Sequence, residues 1–388
     1  MKRICILTAT RSEYGLLKPV ILKLRTLSEF DIRVAVTGAH LSPEFGLTYL
    51  EIEKDGIPID GRIEMLLSAD TPSSVTKSMG VALIGFADYF DRLRPDLLVV
   101  LGDRYETLAV CIAAMNQRIP VAHLYGGETT EGAVDESIRH AITKLSYLHF
   151  TSAEPYRQRV LRLGEHPDRV FCVGAVGIEN ALHQNLLRKS ELEAELHFSL
   201  DVPYAVITFH PVTLEEHSAK EQTTELLEAL RAFPDMKFIF TKANADADGR
   251  IINSSIDAFV AANQNAAVYT SLGSGLYLSA LKYCHMVIGN SSSGLIEAPS
   301  FGIPSVNIGD RQKGRLQAAG TINCRPCRDD IEQAVRLALT PEFRELAAAA
   351  VNPYGDGNTS GKIVSVLREF LLEDRIHIKK SFYDGEVT

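Results

Sequence analysis

Three serines follow directly on a short apolar run, in the order Met286-Val287-Ile288-Gly289-Asn290-Ser291-Ser292-Ser293. Leu295-Ile296-Glu297-Ala298 then begins a helical pattern. Serines at a helix start stand beside unsatisfied backbone N–H groups and the positive end of the helix dipole, an arrangement that suits a phosphate. A second apolar run over residues 303–309 delivers Arg311, Lys313 and Arg315 to the same edge. An anion-binding turn beside three cations suggests a diphosphate. The same serines would also serve as plain helix caps that bind nothing. The stretch is neither a P-loop nor a dinucleotide fingerprint, since neither glycine pattern occurs.

Further polar residues stand just past the ends of other apolar runs. Arg11 follows residues 4–10, Asp103 and Arg104 follow 97–102, Glu128 follows 121–125 in Gly126-Gly127-Glu128, and His210 closes 205–210. Singly, each has a plain reading as a cap, a solvated loop residue or a turn. Together they mark one kind of sheet edge. Asp135 opens a helix, and Arg139 lies one turn later, so the two can face together. That pair is either an ordinary surface ion pair or part of a carboxylate group with Asp103 and Glu128. Carboxylates held close push one another's pKa apart and so can divide the roles of acid and base.

Other chemistries find no support. Residues 244–249 imitate the start of a calcium loop, but Ser255 stands where the closing glutamate belongs. No His-Glu-x-x-His and no Gly-x-Ser-x-Gly occurs, and the eleven histidines do not cluster. Cys324-Arg-Pro-Cys327 is a lone pair without the second pair that a zinc site needs. A mechanism without metal or cofactor is expected. The net charge of −9 and the absence of a basic tail argue against nucleic acid. The first apolar run is too short for a signal peptide, and none is long enough to span a bilayer. Cys5, Cys111, Cys172 and Cys284 lie in apolar segments and read as buried reduced thiols, so a cytoplasmic location is expected.

The elements that must position these residues alternate. Strands are expected over 4–10, 32–38, 97–102, 121–125, 148–151 and 170–174, with helices between them. Thr71-Pro72-Ser73 opens a helix that runs to about Leu93, ahead of Pro95. A second series covers 205–210, 237–241, 267–270, 286–289 and 305–308. The 388 residues suffice for two domains. Such alternation predicts an α/β protein with two Rossmann-like, doubly wound parallel sheets and a ligand site in the interdomain cleft. The expected domains are residues 1–178 and 179–364, with a polar helical connection over 179–200. Residues 40–70 are the least legible.

In combination, Thr8-Ala-Thr-Arg-Ser-Glu-Tyr-Gly15, Leu101-Gly-Asp-Arg-Tyr-Glu106, Gly126-Gly-Glu128, Asp135-Glu-Ser-Ile-Arg-His-Ala-Ile-Thr-Lys144 and Gly289-Asn-Ser-Ser-Ser-Gly294 resemble the UDP-N-acetylglucosamine 2-epimerase family. The serine-rich form of the last motif is similar to the hydrolysing branch. The resemblance implies a glycosyltransferase-B-like fold, with UDP held mainly by the second domain. It implies that Ser291 and Ser292 bind the diphosphate and that Glu297 binds the ribose hydroxyls. Arg11, His210 and Arg311 would neutralise the diphosphate, Asn244 would line the nucleotide-sugar pocket, and Arg104 would stand at the substrate. Asp103, Glu128, Asp135, Arg139 and His210 become the catalytic candidates. The resemblance also implies a last helix, about 365–373, that crosses back with the chain to residue 388 onto the first domain, and a homodimer or homotetramer.

The implied reaction breaks the bond from the anomeric carbon to UDP and removes the C2 proton, giving a glycal. Water then adds at C1 and a proton returns to C2 on the other face, releasing a free manno-configured sugar. The first expectation is UDP-N-acetylglucosamine as substrate and N-acetylmannosamine, a sialic-acid precursor, as product. A close variant acts on UDP-N,N'-diacetylbacillosamine, for legionaminic acid. A retaining UDP-sugar glycosyltransferase and a non-catalytic nucleotide-sugar sensor are the more distant readings.

Overall fold

The computed structural model describes residues 1–69, 71–131, 134–212, 218–243 and 248–385. The chain forms two units. The first comprises Met1–Glu128, Asp135–Asn180 and the chain from Tyr354 onward; the second comprises Thr129–Val134 and Ala181–Pro353. The crossing from Asn180 to Ala181 falls inside the helix Val176–His183, in the segment expected to connect two domains. The return to the first unit begins at Tyr354 rather than near residue 365, and the last helix is Thr359–Leu372.

The first unit is built on a parallel sheet of β1 (Lys2–Thr8), β2 (Phe30–Thr37), β3 (Ile59–Ile63), β4 (Leu97–Leu101), β5 (Val121–Leu124), β6 (Leu148–Thr151) and β7 (Val170–Cys172), in the order β3-β2-β1-β4-β5-β6-β7. Every residue of β4 is buried, as a central strand covered on both faces requires. Chain direction across the sheet reverses between β1 and β4, which makes their carboxyl ends the switch point where ligands of such sheets bind. β1 ends at Thr8, short of the expected residue 10. Thr10 is instead the cap of helix Arg11–Arg25: its hydroxyl accepts from Glu13 N, and Glu13 reaches back to the Ala9 and Thr10 amides at 2.7 and 3.2 Å. Helix Pro72–Leu93 starts as the Thr-Pro pair predicts, capped by the Thr71 hydroxyl.

The second unit carries β8 (Tyr204–Thr208), β9 (Lys237–Thr241), β10 (Ala266–Tyr269), β11 (Met286–Gly289), β12 (Ser305–Ile308) and β13 (Thr321–Cys324), all parallel, in the order β10-β9-β8-β11-β12-β13. Its switch point lies between β8 and β11. Phe238, Phe240, Ile252, Phe259, Ile288 and Val335 form a core on one face of that sheet.

Two strands, β3 and β13, were not expected; both are edge strands. Cys172 is exposed, against expectation, because it closes the edge strand β7, while Cys5, Cys111 and Cys284 are buried. Helix Thr359–Leu372 packs on helix Arg11–Arg25 within the first unit. Beyond it the tail is tied down: Tyr147 Oη donates to Arg375 O at 3.0 Å, and Tyr383 N donates to Gly164 O at 3.0 Å. Lys380 Nζ reaches the fully buried Glu165 at 3.0 Å. Among the described residues, no helix is long and apolar enough to cross a membrane.

Candidate active site

In the first unit, Asp103 leaves the end of β4 after Gly102, whose φ of +81° is the left-handed turn that glycine adopts without strain. The ring of His123, on β5, holds that turn from below: its Nε2 lies 2.7 Å from the Gly102 carbonyl. A carbonyl only accepts, so Nε2 carries the proton. Burial pushes this imidazole down to about 3, and it stays neutral.

Glu128 is carried by the turn after β5. Tyr125 opens that turn at a φ of +68°, a strained value for a tyrosine. Gly127 follows at +80°, and a Cβ there would meet the Tyr156 carbonyl at 2.3 Å, so only glycine fits. Glu128 is buried and accepts from the Ser152 hydroxyl at 2.5 Å. Asp135 begins the helix Asp135–Leu145 and is half-buried. Arg139, one turn on, is fully buried. It donates to the Asp103 carboxylate, to the Glu128 carbonyl at 3.0 Å and to Glu136 Oε2 at 3.0 Å. One guanidinium thus joins the ends of β4 and β5 to a helix start. Its partnership with Asp103 and Glu136 was not anticipated from spacing.

The remaining first-unit candidates lie at the same carboxyl ends. Arg104 donates through Nε to Glu106 Oε2 at 3.2 Å, and Arg11 through Nη1 to Glu51 Oε1 at 3.3 Å. Glu13 is buried at the start of helix Arg11–Arg25; burial raises its carboxyl to about 7 against the two amides it accepts from.

In the second unit, Ser291, Ser292 and Ser293 follow β11 and are half-buried. The expected helix is a single turn, Ser293–Ile296, because Pro299 cannot continue it and a 3₁₀ turn, Ala298–Phe301, takes over. A single turn carries little dipole, and Ser291 Oγ accepts from Ser293 N at 3.4 Å as a cap would. What the edge offers an anion is the three serines, their turn amides and the cations of the loop after β12. Arg311 is half-buried and donates to the Asn290 carbonyl at 3.1 Å; Arg315 donates to the Thr129 carbonyl at 3.2 Å. His210 is buried past the end of β8, and Glu297 is half-buried beyond the serine turn. Asn244 lies outside the described residues.

The model of the UDP-N-acetylglucosamine 2-epimerase family matches residues 22–368. The chain belongs to that family. A Campylobacter jejuni protein named GDP/UDP-N,N'-diacetylbacillosamine 2-epimerase (hydrolyzing) is 42% identical over 99% of both chains. An Escherichia coli protein named polysialic acid biosynthesis protein P7 is 38% identical, covering 99% of this chain and 98% of its own. A Legionella pneumophila UDP-N,N'-diacetylbacillosamine 2-epimerase (hydrolyzing) is 34% identical over 99% and 100%. The chain is thus an enzyme of the hydrolysing branch of the 2-epimerase family. The solved Staphylococcus aureus MnaA–UDP structure aligns with a TM-score of 0.80 at 19% identity, covering 99% of this chain and 100% of that one. The fold is the glycosyltransferase-B-like one of the 2-epimerases.

Within this 2-epimerase, the residues that motif reading missed are supporting ones. Ser152 and Glu136 are ordinary residues whose roles come from partners distant in sequence. His123 gave a faint signal as a histidine inside an apolar strand. Asn290 and Gln312 stood in the motifs but were not distinguished from their neighbours.

Proposed function

We propose that the chain is a hydrolysing 2-epimerase of UDP-N,N'-diacetylbacillosamine, releasing UDP and a free 2,4-diacetamido sugar of manno configuration. The observation that carries this reading is the full-length similarity, at 42% and 34% identity, to two proteins named for that activity. By comparison, a Neisseria meningitidis protein named UDP-N-acetylglucosamine 2-epimerase is 28% identical. The preference reverses the order expected from sequence alone, which put UDP-N-acetylglucosamine first. The similarity to the polysialic acid biosynthesis protein keeps UDP-N-acetylglucosamine as the second reading.

The chemistry asks for two kinds of edge. The C2 proton of an acetamido sugar is not acidic. Departure of the diphosphate with the bonding electrons leaves an oxocarbenium-like C1, and that makes the C2 proton removable. In this reading Arg311, His210, Arg11, Ser291 and Ser292 stabilise the departing diphosphate, with Glu297 on the ribose. Asp103, Glu128 and Asp135 take the C2 proton, direct water to C1 and return a proton to C2. Arg139 supports the reading, since it fixes the Asp103 carboxylate and the Glu128 main chain together. Arg104 is assigned to the substrate's anionic side. The reading places the enzyme in the cytoplasm as a homodimer or homotetramer, which light scattering on the purified protein would check.

The test is product identification in deuterated water, with UDP-N,N'-diacetylbacillosamine, its GDP counterpart and UDP-N-acetylglucosamine supplied separately. Proton NMR should show a free manno-configured diacetamido sugar carrying deuterium at C2, formed fastest from the first. A sugar transferred to an acceptor without C2 exchange would overturn the reaction. Faster turnover of UDP-N-acetylglucosamine would return the second reading to first place.

A further inference from the structure

β8 ends at Thr208, yet His210, two residues on, is buried in a defined place. The reason is one side chain. Asn290 Oδ1 accepts from His210 N at 2.7 Å, and Asn290 Nδ2 donates to His210 O at 2.8 Å. The amide thus presents to His210 the donor and acceptor that a neighbouring strand would present, and extends the ladder past its last residue. Its own N–H donates to the Thr208 carbonyl at 3.2 Å. The turn can come this close because Gly289 precedes it: a Cβ at that position would lie 2.0 Å from the Thr208 carbonyl oxygen.

The main chain of the same residue faces the other way. The Asn290 carbonyl accepts from Arg311 Nη1 at 3.1 Å and from the buried Gln312 Nε2 at 2.8 Å. Asn290 is itself fully buried, so all five bonds meet it away from water, where each missing partner is costly. One residue therefore fixes His210 through its side chain and Arg311 through its carbonyl.

We propose that Asn290 is a positioning residue of this edge, setting the separation of His210 and Arg311 so that both meet one diphosphate. The inference rests on the reading that this edge holds the nucleotide. Only asparagine supplies the pattern at this length: aspartate lacks the donor, leucine lacks both groups and serine is too short.

The test is a double-mutant cycle on the full chain, with UDP as probe, read by calorimetry beside the melting temperature. Asn290→Ala should weaken UDP about tenfold, and Arg311→Ala should cost about tenfold in the natural background but under about threefold once Asn290 is gone, because coupled residues do not add. KM should rise with the UDP Kd. Equal Arg311→Ala losses in both backgrounds, or a lower melting temperature with UDP affinity intact, would leave Asn290 a merely structural residue and overturn the proposal. Should Asn290→Ala not fold, Gln312→Met replaces it in the cycle, removing the second donor to the same carbonyl at similar length, under the same criterion. A natural protein that binds UDP no better than Arg311→Ala sinks the nucleotide reading of the edge, and this inference with it; additive losses with a working Arg311 sink this inference alone.

Discussion

Arg139 donates to the Asp103 carboxylate at the end of β4 while its other arm holds the Glu128 carbonyl at 3.0 Å. A buried guanidinium with these partners does two things. It offsets a carboxylate placed near the end of a covered strand, and it fixes the distance between two turns. Replacing it with methionine removes both. Breaking a buried pair from one side costs about 3 kcal/mol. Arg139→Met should lose stability of that order by urea unfolding and should also lose turnover far beyond its effect on UDP affinity. Normal turnover in the folded variant would separate the pair from the chemistry.

The carboxylates themselves should divide from the diphosphate edge in kinetics. Asp103→Asn, Glu128→Gln and Asp135→Asn each remove one acid or base and little volume. Each should lower kcat by about 10²–10⁴-fold, with a much smaller change in UDP binding by calorimetry. Near-normal turnover in all three would remove the proposed proton chemistry.

Arg311 is half-buried and anchored to the Asn290 carbonyl at 3.1 Å, so it is held in place before any anion arrives. Its loss should weaken UDP by about tenfold, the scale of one charge-assisted hydrogen bond. The difference between Arg311→Ala and the natural protein should be largest at low salt, because screening weakens the partly exposed charge. A salt-independent difference would point to lost packing instead.

Acid should unfold the first unit through identifiable groups. His123 is depressed by burial to about 3 from 6.5, so its contribution is complete above pH 6.5 and drains away as pH falls through that window. Glu165 is held down at about 2 from 4.5: burial opposes it, but bonds from His149 and Lys144 and the charge of Lys380 prevail. Its contribution is complete above pH 4.5 and is lost below. His123→Gln should therefore flatten the stability curve between pH 6.5 and 4 by about 1.4 kcal/mol per pH unit, measured by urea unfolding at each pH. An unchanged slope would mean that the ring is charged when folded.

The architecture was legible because strands buried on both faces leave near-continuous apolar runs. Lys237–Thr241, Met286–Gly289 and Ser305–Ile308 stand where the runs put them. β3 was hidden because Ile59-Asp-Gly-Arg-Ile63 lies at an edge, where charged side chains reach solvent and Gly61 makes room for the Tyr89 ring. β13 was hidden because Thr321-Ile-Asn-Cys324 is a short edge strand whose Thr and Asn break the apolar run. The serine turn was placed correctly but its helix was overestimated, because Pro299 acts four residues after the pattern begins at Leu295. Motif residues such as Asp103, Arg139 and Arg311 could be read from their types. Asn290 could not be singled out, because what distinguishes it is the backbone of His210, 80 residues away in the chain.

The return of Tyr354 and helix Thr359–Leu372 to the first unit bears on how the protein is made. Ala181–Pro353 is one uninterrupted stretch and can close its core while the rest is still being synthesised. The first unit cannot, since the helix that packs on Arg11–Arg25 leaves the ribosome only after the whole of Ala181–Pro353. The unit begun first is thus completed after the second, and its apolar surface on Arg11–Arg25 stays open until Thr359–Leu372 has been made.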